Sequence, residues 1–274
     1  MSALVVDAST SEFGWELMSW QGFVRKQAPK HSHVVVVTTA GLEPLYAGVN
    51  AEFITHDVPM GRDCWWGFDV ADTRKFKRHT TGVAATANAL KRKYGSVTYL
   101  KQSKYIPIQD QTFVKYGNSD ANSADVIVHA RRKKNRPGSC YDIHNWPQPT
   151  WDAVANHLVS QGLSVAAVGT KTHAMLPAGC TDLRGLALPA TSDAIAGAKC
   201  MLGPSSGPMH LAALCGTRHI VWGRNIRTKM LGAMNVDRYT HLWNPFSTPC
   251  TYIPITAVPS EKDLIGTLDK ELQL

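Results

Sequence analysis

A chain of 274 residues is long enough for one large domain or two smaller ones. Hydrophobic residues make up 44% of it and charged residues 18%, which excludes wholesale disorder, and no apolar run reaches the roughly 18 residues that cross a bilayer. The net charge is +8, yet the segment from Asp72 to Lys115 alone holds ten basic residues against two acidic ones, so the surplus is local and marks either a solvated helix face or a surface for a polyanion.

The amino end runs almost directly into the strand-like Leu4-Val5-Val6. It lacks a basic leader region and a signal-peptide cleavage pattern, so a cytoplasmic location is expected. Trp15 to Lys26 reads as one helix. Val34 to Val37 is a continuous apolar run, as in a parallel strand buried on both faces. A short helix over Ala40–Ala47 and a strand over Glu52–Thr55 follow. Thr73 to Tyr94 is a long helical pattern with an expected interruption near Thr80-Thr81-Gly82, and Ser96 to Leu100 is a strand. The stretch from Lys101 to Ala124 lacks periodicity, which places a domain boundary near residue 118.

The alternation then restarts. Strands are expected over Asp125–Ala130 and Val165–Val168 and around Leu183. Helices are expected over Thr150–Gln161 and over Ser192–Ala198, the latter opened by Thr191 or Ser192. Cys200-Met201-Leu202 leads into a small-residue turn and a helix through Cys215. His219 to Trp222 is another strand, and a last amphipathic helix spans about Glu261 to Leu272. Strand–helix alternation in two blocks predicts an α/β protein of two Rossmann-like domains, 1–118 and 119–274, facing a cleft. The six cysteines are scattered without a Cys-x-x-Cys pair, and neither they nor the eleven histidines show ligand-like spacing.

Four constellations carry chemistry. The first is Gly203-Pro204-Ser205-Ser206-Gly207-Pro208-Met209-His210. Ser206 or Gly207 suits an N-cap and Pro208 the first helical position. A helix N-terminus after a strand offers free N–H groups and a positive dipole end to phosphate. Helix capping with tight packing is the plain alternative. The same residues also fit Gly-x-Ser-x-Gly, which would make Ser205 a hydrolase nucleophile. Asp237 and His241 follow in the right order but only four apart, and no oxyanion segment accompanies them. The second is Arg131-Arg132-Lys133-Lys134-Asn135-Arg136 at the carboxyl end of the 125–130 strand, where arginine suits bidentate phosphate contacts. A solvated basic loop is its alternative. The third is the loop Ser9 to Leu17. Gly14 permits close approach there, and Glu16 in the first helical turn could take a proton from a hydroxyl or simply complement the helix dipole; Glu12 is the second candidate base. The fourth, Trp65-Trp66 beside Gly67, could stack a sugar or a base, or pack in a core.

These pieces resemble a known family. Asp182-Leu183-Arg184-Gly185, then Leu202 through Thr217 with Gly-Pro-Met-His-Leu-Ala-Ala, then Ile220-Val221-Trp222-Gly223, look like the carboxyl-terminal domain of heptosyltransferase-like glycosyltransferases of the GT-B fold. Val126–Arg131 followed by Asn145-Trp146-Pro147 is similar to the first unit of that domain. Gly14-Trp15-Glu16-Leu17 stands where the family usually has Gly-Asp, and Ser205 stands where it commonly has an acidic or amide residue. The resemblance implies inverting, metal-independent transfer from a nucleotide-sugar co-substrate, with no further cofactor. Arg131, Lys134, Ser205, Ser206, Gly207, Met209 and His210 are then expected at the donor diphosphate and Glu16 as base, while Gly169 and Thr170, which follow a strand end, are expected to line the nucleoside pocket. Gly14, Trp65, Trp66, Arg74, Lys75 and Arg78 are the acceptor-side candidates.

The basic excess of the amino-terminal half points to a polyanionic acceptor. A hydroxymethylated base in DNA is the expected one, because no membrane-surface helix accompanies the charge. A phosphorylated lipopolysaccharide core is the alternative, and a non-catalytic nucleotide or polyanion binder is a further one.

Overall fold

The computed structural model describes residues 2–8, 13–56, 73–101, 105–132, 142–228 and 232–273. They divide into two compact units, Met1–Val114 and Lys115–Leu274.

In the first unit, β1 (Ser2–Asp7) is followed by α1 (Phe13–Ser19), α2 (Gln21–Gln27), β2 (His33–Thr39), β3 (Glu52–His56), α3 (Thr73–Tyr94) and β4 (Ser96–Lys101). The sheet is parallel in the order β3-β2-β1-β4. Val5 lies opposite Val35 in the ladder, and Val35 and Val37 are fully buried, because a strand covered on both faces has no polar side to alternate.

Three expectations change here. The single helix over Trp15–Lys26 is two helices, broken at Trp20, whose φ of −140° is not helical. Its ring is buried and stacks on Phe23 at 5.9 Å, a contact that outweighs helix propensity. The 40–47 segment forms only one 3-10 turn, Glu43–Tyr46. The interruption near Gly82 is absent: α3 is continuous, since Val83, Ala87 and Leu90 pack on the sheet and offset the cost of about 1 kcal/mol of a helical glycine.

In the second unit, β5 (Val126–Val128), α4 (Gln148–Ser160), β6 (Val165–Ala167), β7 (Thr181–Asp182), α5 (Leu188–Ala196), β8 (Cys200–Pro204), α6 (Gly207–Cys215) and β9 (His219–Gly223) alternate in chain order. A small antiparallel pair, β10 (Arg227–Thr228) and β11 (Ala233–Met234), leads to a helical turn, α7 (Asn235–Asp237), continued by a π-helical turn, Arg238–Leu242. β12 (Cys250–Pro254) and α8 (Glu261–Leu272) close the unit. α5 starts at Leu188, earlier than expected: Ser192 is inside it and bonds back to the Leu188 carbonyl, while Pro189 occupies the first turn. Nothing in the sequence reading anticipated β12 or the helical turns at 235–242.

The six parallel strands run β12-β9-β8-β5-β6-β7. Counted within the unit, this is 6-5-4-1-2-3, the doubly wound dinucleotide order, and it reverses direction between β5 and β8. Ligands of such sheets bind outside the carboxyl ends of the strands at that point. Under it, Trp146 stacks on Trp151 at 4.6 Å and meets Trp222 edge-on at 5.4 Å, a rigid aromatic floor.

Candidate active site

The carboxyl ends of β5, β8 and β9 bring the seat together. β8 ends in Pro204, and Ser206 caps α6 with extended backbone (φ −164°, ψ 168°). Gly207 and Pro208 form the first helical turn, so the cap is Ser206 and Pro208 sits one place deeper than the first helical position. The N–H groups of Gly207 and Met209 fall where a helix has no acceptor of its own. Met209 is wholly buried, with its Sδ 2.9 Å from where a Cβ on Gly203 would stand, so its side chain packs inward and only its backbone N–H belongs to the helix N-terminus.

Ser205 is half-buried, and its Oγ accepts from Arg238 Nη2 and from the Tyr239 hydroxyl, each at 3.0 Å. The Ser206 N–H donates to the same Tyr239 oxygen at 2.9 Å. Ser206 Oγ is buried and makes no hydrogen bond among the described residues, and neither does Arg238 Nε. The Arg238 guanidinium lies over the rings of Tyr239 and Trp243, 5.2 and 5.3 Å from their centroids. The π-helical turn sets this up, because the Trp243 N–H bonds to the Arg238 carbonyl five residues back and folds both rings under one guanidinium.

The His210 side chain is turned into the core. Its ring is buried, stacked 4.1 Å from Tyr239 and edge-on to Trp243. Burial, with Arg238 and His219 nearby, holds it neutral, well below the ordinary imidazole range.

Arg131 stands at the end of β5, buried, and donates to Asn145 Oδ1 at 2.6 Å. Beside it His144 is pushed down to about 3, first by burial and then by the charges of Arg131, Arg238 and Arg224. One buried imidazole thus senses three guanidinium groups carried by three different segments. Neither Arg224 nor Arg238 forms an ion pair among the described residues. Arg224 follows β9, and its carbonyl is pinned by the Tyr252 hydroxyl and by Asn235 Nδ2.

The nucleoside candidates lie just after β6. Gly169 has φ +122°, and a Cβ there would stand 2.8 Å from Ala174 and 3.0 Å from His129. The Thr170 hydroxyl is shared with Thr172 and His173 in an exposed turn. The hydrolase reading fails on geometry. Among the described residues outside glycine, only Ser247 and Gln273 have positive φ, so Ser205 lacks the strained turn of a nucleophile elbow. Its oxygen faces a cation and a phenol, Asp237 caps its own helix through the Met234 N–H, and His241 is exposed.

In the first unit, Glu16 sits in the first turn of α1 with no exposure at all. Its Oε1 accepts from the hydroxyls of Thr38 and Tyr46, and its Oε2 has no partner among the described residues. Burial lifts the carboxyl from 4.5 to about 7 against those two hydrogen bonds, with Glu43 adding a little. Gly14 is buried in the same turn. Asp7, at the carboxyl end of β1, is buried and accepts from Tyr99 at 2.7 Å. Glu12, Trp65, Trp66 and Lys134 lie outside the described residues, as do the side chains of Arg74, Lys75 and Arg78 on α3. Arg224, Arg238, Tyr239 and His144 escaped the sequence reading. The one available signal was an arginine beside an aromatic on either side of the 225–237 stretch: Arg224 two residues after Trp222, and Arg238 directly before Tyr239.

Two doubly wound parallel units, one with a cationic seat at its topological switch point, define the GT-B class of glycosyltransferases. The chain belongs to glycosyltransferase family 9 (heptosyltransferase), whose model matches residues 110–252. Its fold is similar to that of E. coli ADP-heptose lps heptosyltransferase II, at 14% identity and a TM-score of 0.60 over 100% of this chain and 98% of that one. It is also similar to a family 9 glycosyltransferase from Veillonella parvula, at 12% identity and a TM-score of 0.57 over 99% and 97% of the two chains. E. coli heptosyltransferase WaaC with ADP matches at 11% identity and a TM-score of 0.56 over 98% and 99%. No curated protein sequence matches the chain. No described helix is long and apolar enough to cross a membrane, and no group of three or more His, Cys, Asp or Glu among the described residues could hold a metal ion.

Proposed function

We propose that the protein transfers a sugar from a nucleoside-diphosphate donor, with inversion, to a hydroxyl of a phosphorylated lipopolysaccharide-core acceptor. The observation that carries the reading is the convergence of Arg131, Arg224 and Arg238 around His144, with Arg238 bonded at 3.0 Å to Ser205, one residue before the cap of α6. A departing nucleoside diphosphate gains negative charge as the glycosidic bond breaks. Fixed guanidinium groups and unpaired N–H groups at that place stabilise the charge where it develops. Arg131, Ser205, Ser206 and the backbone of Gly207 and Met209 hold the diphosphate, joined by Arg224 and Arg238; Lys134 is the further cation. Gly169 and Thr170 line the nucleoside side.

Glu16 is the proton acceptor in this reading. Its value near 7 suits a general base at neutral pH, and Oε2, which has no partner among the described residues, is the atom that takes the proton. Glu16→Gln that loses turnover while binding ADP normally supports this; near wild-type turnover moves the role to Glu12.

The acceptor assignment departs from the DNA expectation. A basic excess discriminates poorly among polyanions, and neither the family nor the similar structures named above carry a link to DNA. The family description and the lipopolysaccharide enzyme of similar fold favour the core oligosaccharide. The test is a thermal-shift panel of nucleotide-sugars led by ADP-heptose, then transfer assays by mass spectrometry on core oligosaccharide and on hydroxymethylated duplex DNA. Transfer to the duplex alone would sink the acceptor assignment, and no donor binding at all would sink the function.

A further inference from the structure

The hydrogen bonds around Ser205 leave its hydroxyl a single direction of use. The Ser206 N–H is an obligatory donor and occupies the Tyr239 oxygen at 2.9 Å. The phenolic proton then has two acceptors in reach: Ser205 Oγ at 3.0 Å and the Ser206 carbonyl at 3.4 Å. The nearer one takes it. A phenol is also a far stronger acid than a serine alcohol, and so the better donor of the two. Arg238 Nη2 has protons only to give, and gives one to the same Oγ at 3.0 Å. Both lone pairs of Ser205 Oγ are therefore taken. What remains is its own proton, on a half-buried side chain one residue before the cap of α6.

We propose that Tyr239 is a positioning residue that, together with the Arg238 guanidinium, locks Ser205 as a committed hydrogen-bond donor toward a phosphate oxygen of the nucleoside diphosphate. The inference rests on the diphosphate seat described above and deepens it. Two donors feeding one hydroxyl polarise its O–H bond, which strengthens the bond it gives to an anion. The same lock disfavours any ligand group that must itself donate to Ser205, so the position discriminates for phosphate and against sugar hydroxyls. The stacking of Tyr239 on His210, and of Arg238 over Tyr239 and Trp243, keeps both donors from turning away. Because His210 is buried and neutral, it adds no competing charge beneath the phenol.

The experiment is a double-mutant cycle on ADP affinity, read by calorimetry with the full chain, using Ser205→Ala, Tyr239→Phe and the double variant. ADP weakening about tenfold in Ser205→Ala, and several-fold in Tyr239→Phe, is expected from the loss or loosening of one hydrogen bond to a charged group. In the double variant, ADP affinity should equal that of Ser205→Ala, since Tyr239 acts only through the serine proton. Tyr239→Phe keeps the ring and its stacking, so its loss reports the phenolic hydroxyl. Fully additive losses, or an unchanged affinity in Tyr239→Phe, overturn the positioning role and leave the diphosphate seat standing. Failure of the wild type to bind either ADP or inorganic pyrophosphate overturns the seat and the inference together.

Discussion

At the scale of single residues, Glu16 makes the sharpest test, because its burial ties chemistry to stability. Folded, its carboxyl has a value of about 7 against an ordinary 4.5. Between those values the folded chain holds a proton that the unfolded chain releases, so unfolding gives up a proton. Stability is therefore fully present below about pH 4.5 and is lost as pH rises through 7, after which it levels off. The amplitude is on the order of 3 kcal/mol. Glu16→Gln should abolish that slope and raise stability at pH 8, measured by urea unfolding at pH 4.5, 6 and 8. An unchanged pH dependence would mean that the buried carboxyl is not neutral in the native state. Its residue type was legible from the loop after the first strand, but its burial was not, because Thr38 and Tyr46 reach it from distant segments.

At the scale of elements, the seat depends on where strands end and how closely their ends pass. Gly223 closes β9 between two neighbours: a Cβ there would stand 2.5 Å from the Tyr252 hydroxyl and 2.9 Å from Ser205 Cβ. Gly223→Ala should cost about 1–3 kcal/mol as overpacking and shift Ser205 out of register with Arg238. Melting temperature and ADP affinity should fall together; an affinity loss without destabilisation would contradict the packing argument. Below, removing Trp146 from the stack of Trp151 and Trp222 should cost about 3–5 kcal/mol by denaturant unfolding. The strand-to-helix turn at 203–208 was readable because its signals are local: small residues, a cap, a proline. The π-helical turn at 238–242 was not, because its shape follows from rings packing on His210 and a guanidinium bridging to Ser205, thirty-three residues earlier. The same asymmetry applies to Gly169: its place after a strand was readable, but its close approach to His129 was not, because His129 lies forty residues earlier.

At the scale of the whole molecule, the two units have separate sheets and separate cores, each with its own parallel order. Two hydrophobic cores of this kind favour two unfolding transitions over one cooperative step. The residues proposed for the diphosphate seat, Arg131, Ser205, Arg224 and Arg238 among them, belong to the second unit. A nucleoside diphosphate should then raise the transition of that unit alone, by about 2.7 kcal/mol when its concentration is a hundred times its dissociation constant. The first unit's transition should respond instead to pH, through Glu16, and stay fixed on ADP addition. Calorimetry at pH 6 and pH 8, with and without ADP, separates the two responses. Equal shifts of both transitions by ADP would mean that the ligand binds across the units, and the seat could not then be assigned to the second unit's residues alone.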